Sequence, residues 1–347
     1  MAAAESSANS YVGSLPGLVK IIDDYGLNAQ EIFASVGVDL RRTQAFDERI
    51  PMEAILDAIA RVADEEIDPL FGLKFAETVH PTTYHAFSVM LVSSNTLRAF
   101  CQRLQRYYLY INNGDRVYFD ECGDQYCLRL VPPPLVEQSH QEVIQISAWA
   151  ATWLKYMRMA YRPDFAPEKV TFTFPSPAGY ENHFFDYFTC EVEFSADSNA
   201  LWLKQSDLDL PLPGGNAELA RRSEQKVFEY LQSLGYDDLL NTVRMKLFEL
   251  LPKGHCHQTQ VADALGMDDD ALAGQLKEAG KNYQQILGDT RRELSDEYIM
   301  RSDLSVNEIA YLLGFSDCSN FARSFRRWTG LSPTEFRKQA HVGISIS

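Results

Sequence analysis

The feature that most restricts how this chain can fold is an internal repeat. Val261-Ala-Asp-Ala-Leu-Gly-Met267 returns 48 residues later as Ile309-Ala-Tyr-Leu-Leu-Gly-Phe315. Each stretch is a short apolar helix closed by a glycine, where the backbone must take positive φ. An apolar residue that turns inward follows, then a polar turn into another helix. That is the pattern of a helix-turn-helix, and it occurs twice. Ser305-Val-Asn-Glu308 forms a capping box for the first helix of the second unit, and Ser332-Pro-Thr-Glu335 does the same for the last helix, with proline at its first position. From residue 217 onward the periodicity predicts helices near 217–234, 238–251, 259–266, 270–279, 282–300, 305–313, 318–329 and 333–339.

The front of the chain reads differently. Leu18, Ile21, Ile22 and Tyr25 keep helical spacing until Gly26, Pro51 heads a second helix, and a third runs from about 96 to 112. Alternating runs on both sides of Gly123-Asp124 predict a hairpin, and a long helix spans about 139–160. Short β-like runs at 170–174, 191–194 and 201–203 enclose a helix near 180–187. Helices with about five strands and no regular strand–helix alternation predict an α+β domain. Ser206 to Asn216, broken by Pro211, Pro213 and Gly214-Gly215, is the expected boundary. The expected layout is a disordered terminus at 1–14, an α+β domain at 15–205, and a linker with a helix at 206–234. An all-α domain with two helix-turn-helix units at 235–340 and a tail at 341–347 complete it.

Charge narrows the partners. The 347 residues carry a net charge of −16, which taken alone argues against nucleic acid. Residues 1–220 hold 16 basic and 30 acidic side chains, whereas Ser319 to Lys338 holds Arg323, Arg326, Arg327, Arg337 and Lys338 against Glu335 alone. A basic island on an acidic chain is a local site. With 46% apolar and 23% charged residues, disorder, collagen and a disulfide scaffold are excluded. The longest uncharged apolar stretches, 85–92 and 144–154, fall short of the ~18–20 residues that cross a bilayer. Met1 to Ser10 lacks the basic and apolar regions of a signal peptide, and six cysteines without C-x-x-C spacing suit a reduced, cytoplasmic compartment.

The segment Leu304-Ser-Val-Asn-Glu-Ile-Ala-Tyr-Leu-Leu-Gly-Phe-Ser-Asp-Cys-Ser-Asn-Phe-Ala-Arg-Ser-Phe-Arg-Arg-Trp-Thr-Gly-Leu-Ser-Pro-Thr-Glu-Phe-Arg337 resembles, almost residue for residue, the second helix-turn-helix of the AraC/XylS transcriptional regulators. Gly26-Leu-Asn-Ala-Gln-Glu-Ile-Phe33, Arg49-Ile-Pro51, Leu91-Val-Ser-Ser94 and the run from Phe184-Phe185 to Val192-Glu-Phe194 resemble the arabinose-binding-like domain that precedes it in one subgroup. The resemblance implies a regulator that binds double-stranded DNA and a small-molecule effector, with effector sensing and homodimerisation in 15–205, a coupling helix in 206–234, and RNA polymerase as a further partner.

The chemistry of the 318–329 helix supports DNA on its own terms. Phe321, Phe325 and Trp328 form an inward stripe, and the opposite face offers Ser319, Asn320, Arg323, Arg326 and Arg327. Asparagine pairs with adenine and arginine with guanine, at ~1–3 kcal/mol of discrimination per bidentate pair. By the family pattern Ser319, Asn320 and Arg323 fall where bases are read, while Arg326, Arg327 and Lys338 meet phosphates. The first unit departs from that pattern. Where the family usually places Ser-Pro-Arg and Gln-Arg-Arg, this chain has Asp268-Asp-Asp270 and Ala273-Gly-Gln275. Five acids against Lys277 between Asp263 and Glu278 repel phosphate, although Asp269 or Asp270 is also a good helix cap. The expectation is that the second unit is the main reader and the first is weakened, with Leu265, Leu272 and Leu276 keeping its fold. The alternative is a regulator without autonomous DNA binding that acts through protein partners.

For the effector, Trp149, Trp153 and Tyr156 share a helix face, and Tyr107 belongs to another aromatic cluster; these four are the candidate pocket, with plain core as the competing reading. No metal site or cofactor is expected, since His255-Cys-His257 gives no complete ligand set. No phosphate loop, nucleophile elbow or H-E-x-x-H motif points to an enzyme.

Overall fold

The computed structural model describes residues 8–41, 48–64, 68–132, 140–236, 238–299 and 303–344. It divides into two compact units, Met1–Tyr230 and Leu231–Ser347.

In the first unit, β1 (Asn9–Tyr11) is followed by α1 (Leu15–Asp24), α2 (Ala29–Ser35), β2 (Arg49–Pro51), α3 (Met52–Asp64), α4 (Phe71–Glu77), α5 (His85–Val92) and α6 (Leu97–Tyr107). Next come β3 (Arg116–Cys122), β4 (Gln125–Val131), α7 (His140–Ala160), β5 (Lys169–Thr171), α8 (Glu181–Phe188), β6 (Glu191–Glu193), β7 (Asn199–Lys204), the single turn α9 (Gln205–Leu208) and α10 (Ala217–Ser233). The main sheet has the order β3-β4-β7-β5-β6, antiparallel except for the β5–β6 pair. Gly123 takes φ +72° in the β3–β4 hairpin, and Cys122 and Cys127 stand there as free thiols with sulfurs 3.2 Å apart. The unit is the expected α+β domain.

Helix α7 carries apolar residues almost all round, and a helix of that kind needs cover on several sides. It packs on α3, α4, α5, α8 and β7. Gly72 sets the α4–α7 spacing. A Cβ there would lie 2.2 Å from Ser147 Oγ and 2.4 Å from the Ile144 carbonyl oxygen, so the two backbones touch only because that atom is missing.

Two expectations fail here, and each has a physical cause. Residues 9–14, assigned to a disordered terminus, form β1 and a 3-10 turn; Tyr11 is buried and its amide donates to the Ile111 carbonyl at 2.7 Å. Residues 1–7 and 345–347 lie outside the described set. The Pro/Gly segment 206–216 is not the divide. The Arg98 guanidinium grips the Asp209 carboxylate at 2.6 and 2.8 Å, and the Leu212 and Asn216 amides donate to the Asn95 and Ser93 carbonyls. Proline and glycine interrupt regular structure without interrupting packing. Helix α10 extends this attachment. Glu224, fully buried, faces Arg103 and Arg106 at 3.3 Å each, and Tyr230 packs on Tyr110 with ring centres 5.0 Å apart.

The second unit is helical: α11 (Leu239–Leu250), α12 (Gln258–Ala264), α13 (Asp269–Glu278), α14 (Tyr283–Ile299), α15 (Val306–Leu312), α16 (Cys318–Thr329) and α17 (Pro333–Ile344). The last helix continues past 340, into what was expected to be a tail. Arg244 on α11 holds Glu293 on α14 through two hydrogen bonds of 3.0 and 2.8 Å. The α12–α13 and α15–α16 pairs repeat one another.

Candidate nucleic-acid interface and sensor cavity

The two helix pairs close their turns in the same way. After α12, Gly266 (φ +67°) donates to the Asp263 carbonyl and Met267 to that of Ala262, at 3.1 and 2.9 Å. After α15, Gly314 (φ +67°) donates to Tyr311 and Phe315 to Ala310, at 2.9 and 3.0 Å. Both are Schellman closures, which only glycine enters freely. Their surroundings differ. A Cβ on Gly266 meets nothing within 4 Å, whereas on Gly314 it would lie 3.1 Å from Leu251 Cδ2 and 3.4 Å from Arg291 Nη2. Gly266→Ala should therefore destabilise by about 1–2 kcal/mol from backbone conformation alone. Gly314→Ala adds crowding and should exceed it, which thermal melts of the two variants side by side would register.

Helix α16 is set for an exposed polar face. Asp317 caps it, accepting from the Asn320 amide at 2.8 Å, and Gly330 ends it at φ +79°. Phe321 and Phe325 are fully buried, and Trp328 is half-buried against Phe315. Ser319, Arg323, Arg326, Arg327 and Lys338 are all exposed, and Asn320 is partly so. The Asn320 amide group donates to Ser316 and Asp317 and accepts from Arg323 Nη2, so these side chains form one chain of hydrogen bonds along the start of the helix. Arg326 and Arg327 occupy the last turn, where the helix dipole favours cations.

One arginine was not singled out from sequence. Arg291, on α14, donates to the Leu313 and Gly314 carbonyls at 2.8 and 2.6 Å and stacks over Phe315. Burial pulls its pKa down. With Arg323 and Arg327 it lines a concavity beside α16. Arg337, counted in the basic island, instead donates to the Ile299 carbonyl at the end of α14.

Helix α13 presents a different surface. Its cap is Asp268, which accepts from the Asp270 amide at 2.9 Å, and the Asp269 carboxylate accepts from Gln258 at 2.9 Å. Asp270, Ala273, Gly274, Gln275 and Glu278 are exposed; Leu272 and Leu276 are buried, and Leu265 is half-buried. Two of the three acids thus serve the fold, and where α16 carries Arg323, Arg326 and Arg327 the equivalent positions of α13 hold Gly274, Lys277 and Glu278, a single exposed base.

The first unit contains a cavity of about 130 Å³ bounded by α3, α4, α7 and the segment 108–115. Trp149 and Trp153 line it. Tyr107 and Tyr156 do not, although they were grouped with them. The Tyr156 hydroxyl is held inside the fold, 2.8 Å from both the His80 carbonyl and Ser88 Oγ. Tyr107 is fully buried, and the backbone tightens into a 3-10 turn just after it, which turns Tyr108 to the cavity instead. Sequence reading also missed Asp115. It is buried, its Oδ2 accepts from Asn112 at 2.8 Å, and its Oδ1 has no hydrogen-bond partner. Burial drives its pKa up to about 6, against hydrogen bonds from Asn112 and Tyr108 and the charge of Arg116. Among the described residues, no cluster of three His, Cys, Asp or Glu side chains suits a metal ion, and no helix is long and apolar enough to cross a membrane.

Comparison with known proteins agrees with both halves. Residues 26–212 match the arabinose-binding domain of AraC transcription regulators, and residues 261–339 match a helix-turn-helix domain. The ornithine utilization regulator of Pseudomonas aeruginosa is 25% identical over 325 residues, covering 92% of this chain and 94% of that one. The transcriptional regulator VirS of Mycobacterium tuberculosis is 35% identical over 96 residues, 28% of each chain. The crystal structure of the transcriptional regulator CdpR from Pseudomonas aeruginosa shares the fold, with a TM-score of 0.51 at 18% identity over 94% of this chain and 98% of that one. A helical half with two helix-turn-helix units behind an α+β domain of this kind makes the chain a member of the AraC family of transcription regulators.

Proposed function

We propose that this regulator reads DNA bases chiefly through α16, that α13 adds little affinity, and that a small molecule in the first unit is its signal. The contrast between the exposed faces of α16 and α13 carries the reading. Ser319, Asn320 and Arg323 stand toward the helix start, the part that reaches base edges when a helix lies in the major groove. Arg326, Arg327 and Lys338 are exposed nearby and suit phosphates. The acids of α13 repel the same backbone. A homodimer, with contact to RNA polymerase at promoters, fits a regulator of this family, and so does a cytoplasmic location.

The test is selection of bound sequences from random DNA by the purified full-length protein at near-physiological salt. A motif of about one major-groove segment per protomer is expected; two segments a helical turn apart would overturn the single-reader proposal. Arg323→Ala should relax one base position by about 1–3 kcal/mol. Arg326→Ala or Arg327→Ala should weaken all sequences alike and lower the salt slope by about one. Changing Asp268, Asp269 and Asp270 to Ser, Pro and Arg should raise affinity, and unchanged binding would show that the acids are not what silences α13.

The acidic α13 also favours a second reading, a regulator that acts through protein partners without binding DNA by itself. Promoter occupancy unaffected by Arg323→Ala would select it.

A further inference from the structure

Among the described residues, the cavity in the first unit has one charge on its wall, and that charge is negative. Asp115 is the sole carboxylate among the described residues that line it, and none of them is a lysine, arginine or histidine. Arg116, the nearest base in sequence, is exposed and donates to the Asn113 and Asp115 backbone carbonyls. Asn112 donates to Oδ2 of Asp115 and the Tyr108 hydroxyl also lies against the carboxylate, while Oδ1 is left without a hydrogen-bond partner of its own. A buried anion in that state is costly unless something neutralises it.

The other walls suit a cation. Trp149, Trp153, Tyr84 and Tyr108 supply aromatic surface, and rings around an acid are how folded proteins hold ammonium groups. Tyr84 and Tyr108 stay neutral, since burial raises both their pKa values. The α7 residues facing this space, Gln145, Thr152 and the two indoles, carry no charge, and neither does Ser10 on β1. Gln145 Oε1 and Trp149 Nε1 are also buried and unpartnered, one an acceptor and one a donor. Apart from Ser14, the remaining lining is apolar. Its volume resembles that of an engineered apolar cavity that takes benzene, so the occupant has about six to nine non-hydrogen atoms.

We propose that the cavity binds a small organic ammonium ion, its charged nitrogen on Asp115 and its body among the tryptophans, with a further polar group for Trp149 Nε1 and Gln145 Oε1. This rests on the reading that the first unit senses a small molecule, and it names the class of molecule.

Calorimetric titration of the full-length protein with n-pentylammonium, 1,4-diaminobutane and 2-phenylethylammonium, each beside the alcohol of the same shape, tests it. At least one amine should bind tenfold or more tighter than its alcohol. Asp115→Asn should weaken that amine at least tenfold and leave the alcohol unchanged. The unmutated protein gives an independent readout. Amine affinity should fall between pH 8 and pH 5 as Asp115 takes up a proton, while the amines stay charged throughout. Alcohols that bind as tightly as amines, with no effect of Asp115→Asn or pH, would overturn the ammonium proposal and leave the sensing reading standing. Failure of every amine and every alcohol to bind would overturn both at this cavity.

Discussion

Glu224→Ala should destabilise the first unit by about 3–5 kcal/mol, the loss expected when one member of a buried ion pair is removed. Glu224 on α10 is fully buried between Arg103 and Arg106 of α6, and Arg103 is itself buried and donates to Ser94 Oγ at 3.0 Å. Without the carboxylate, a guanidinium is left inside the fold facing an alanine. Urea unfolding followed by circular dichroism would show the shift as a lower midpoint. Glu218→Ala, on the same helix, is the control. Its i,i+4 pair with Arg222 is largely exposed, so it should change stability by less than about 1 kcal/mol. A Glu224 variant no weaker than the Glu218 one would mean that α10 is not held to the sensor by this charge.

The second large effect runs the other way. Asp115→Asn should stabilise the ligand-free protein at pH 8 and do little at pH 4. Burial raises the Asp115 pKa from 3.8 to about 6, so between those values the folded state binds more protons than the unfolded chain. Stability from this group is therefore complete below about pH 4 and is lost as pH rises through 6. A shift of about two units corresponds to about 3 kcal/mol at neutral pH, which an uncharged asparagine would not lose. Thermal melts of both proteins from pH 4 to 8 should diverge above pH 5. Parallel curves would show that Asp115 is already neutralised.

The parts of this design that follow from periodicity were legible in the sequence. Phe321 and Phe325 turn inward and Arg323 and Arg327 outward because a helix repeats every 3.6 residues, and the glycines of both turns sit where positive φ is needed. The pairing of Trp149 with Trp153 on one face of α7 follows from the same spacing. What escaped depends on tertiary contact. Asn112-Asn-Gly-Asp115 reads as a turn, and nothing in it says that the aspartate will be buried beside a cavity formed by α3, α4 and α7. Arg291 looks like one more charge on an exposed helix until the carbonyls of Leu313 and Gly314 are placed beside it. The segment 206–216 carries strong turn signals, yet Arg98 and the Asn95 and Ser93 carbonyls that hold it lie more than a hundred residues earlier.

The cavity's two indoles have an optical consequence. The chain has four tryptophans, Trp149, Trp153, Trp202 and Trp328. Two lie on the cavity wall, and a third is half-buried on α16, the proposed reading helix. The intrinsic emission of the unlabelled protein is thus weighted toward the two places where its chemistry is expected to happen. Phenylalanine at 202 and 328 would leave a fluorophore pair that reports cavity occupancy alone, and phenylalanine at 149, 153 and 202 would leave one that reports the environment of α16, with no dye attached to either.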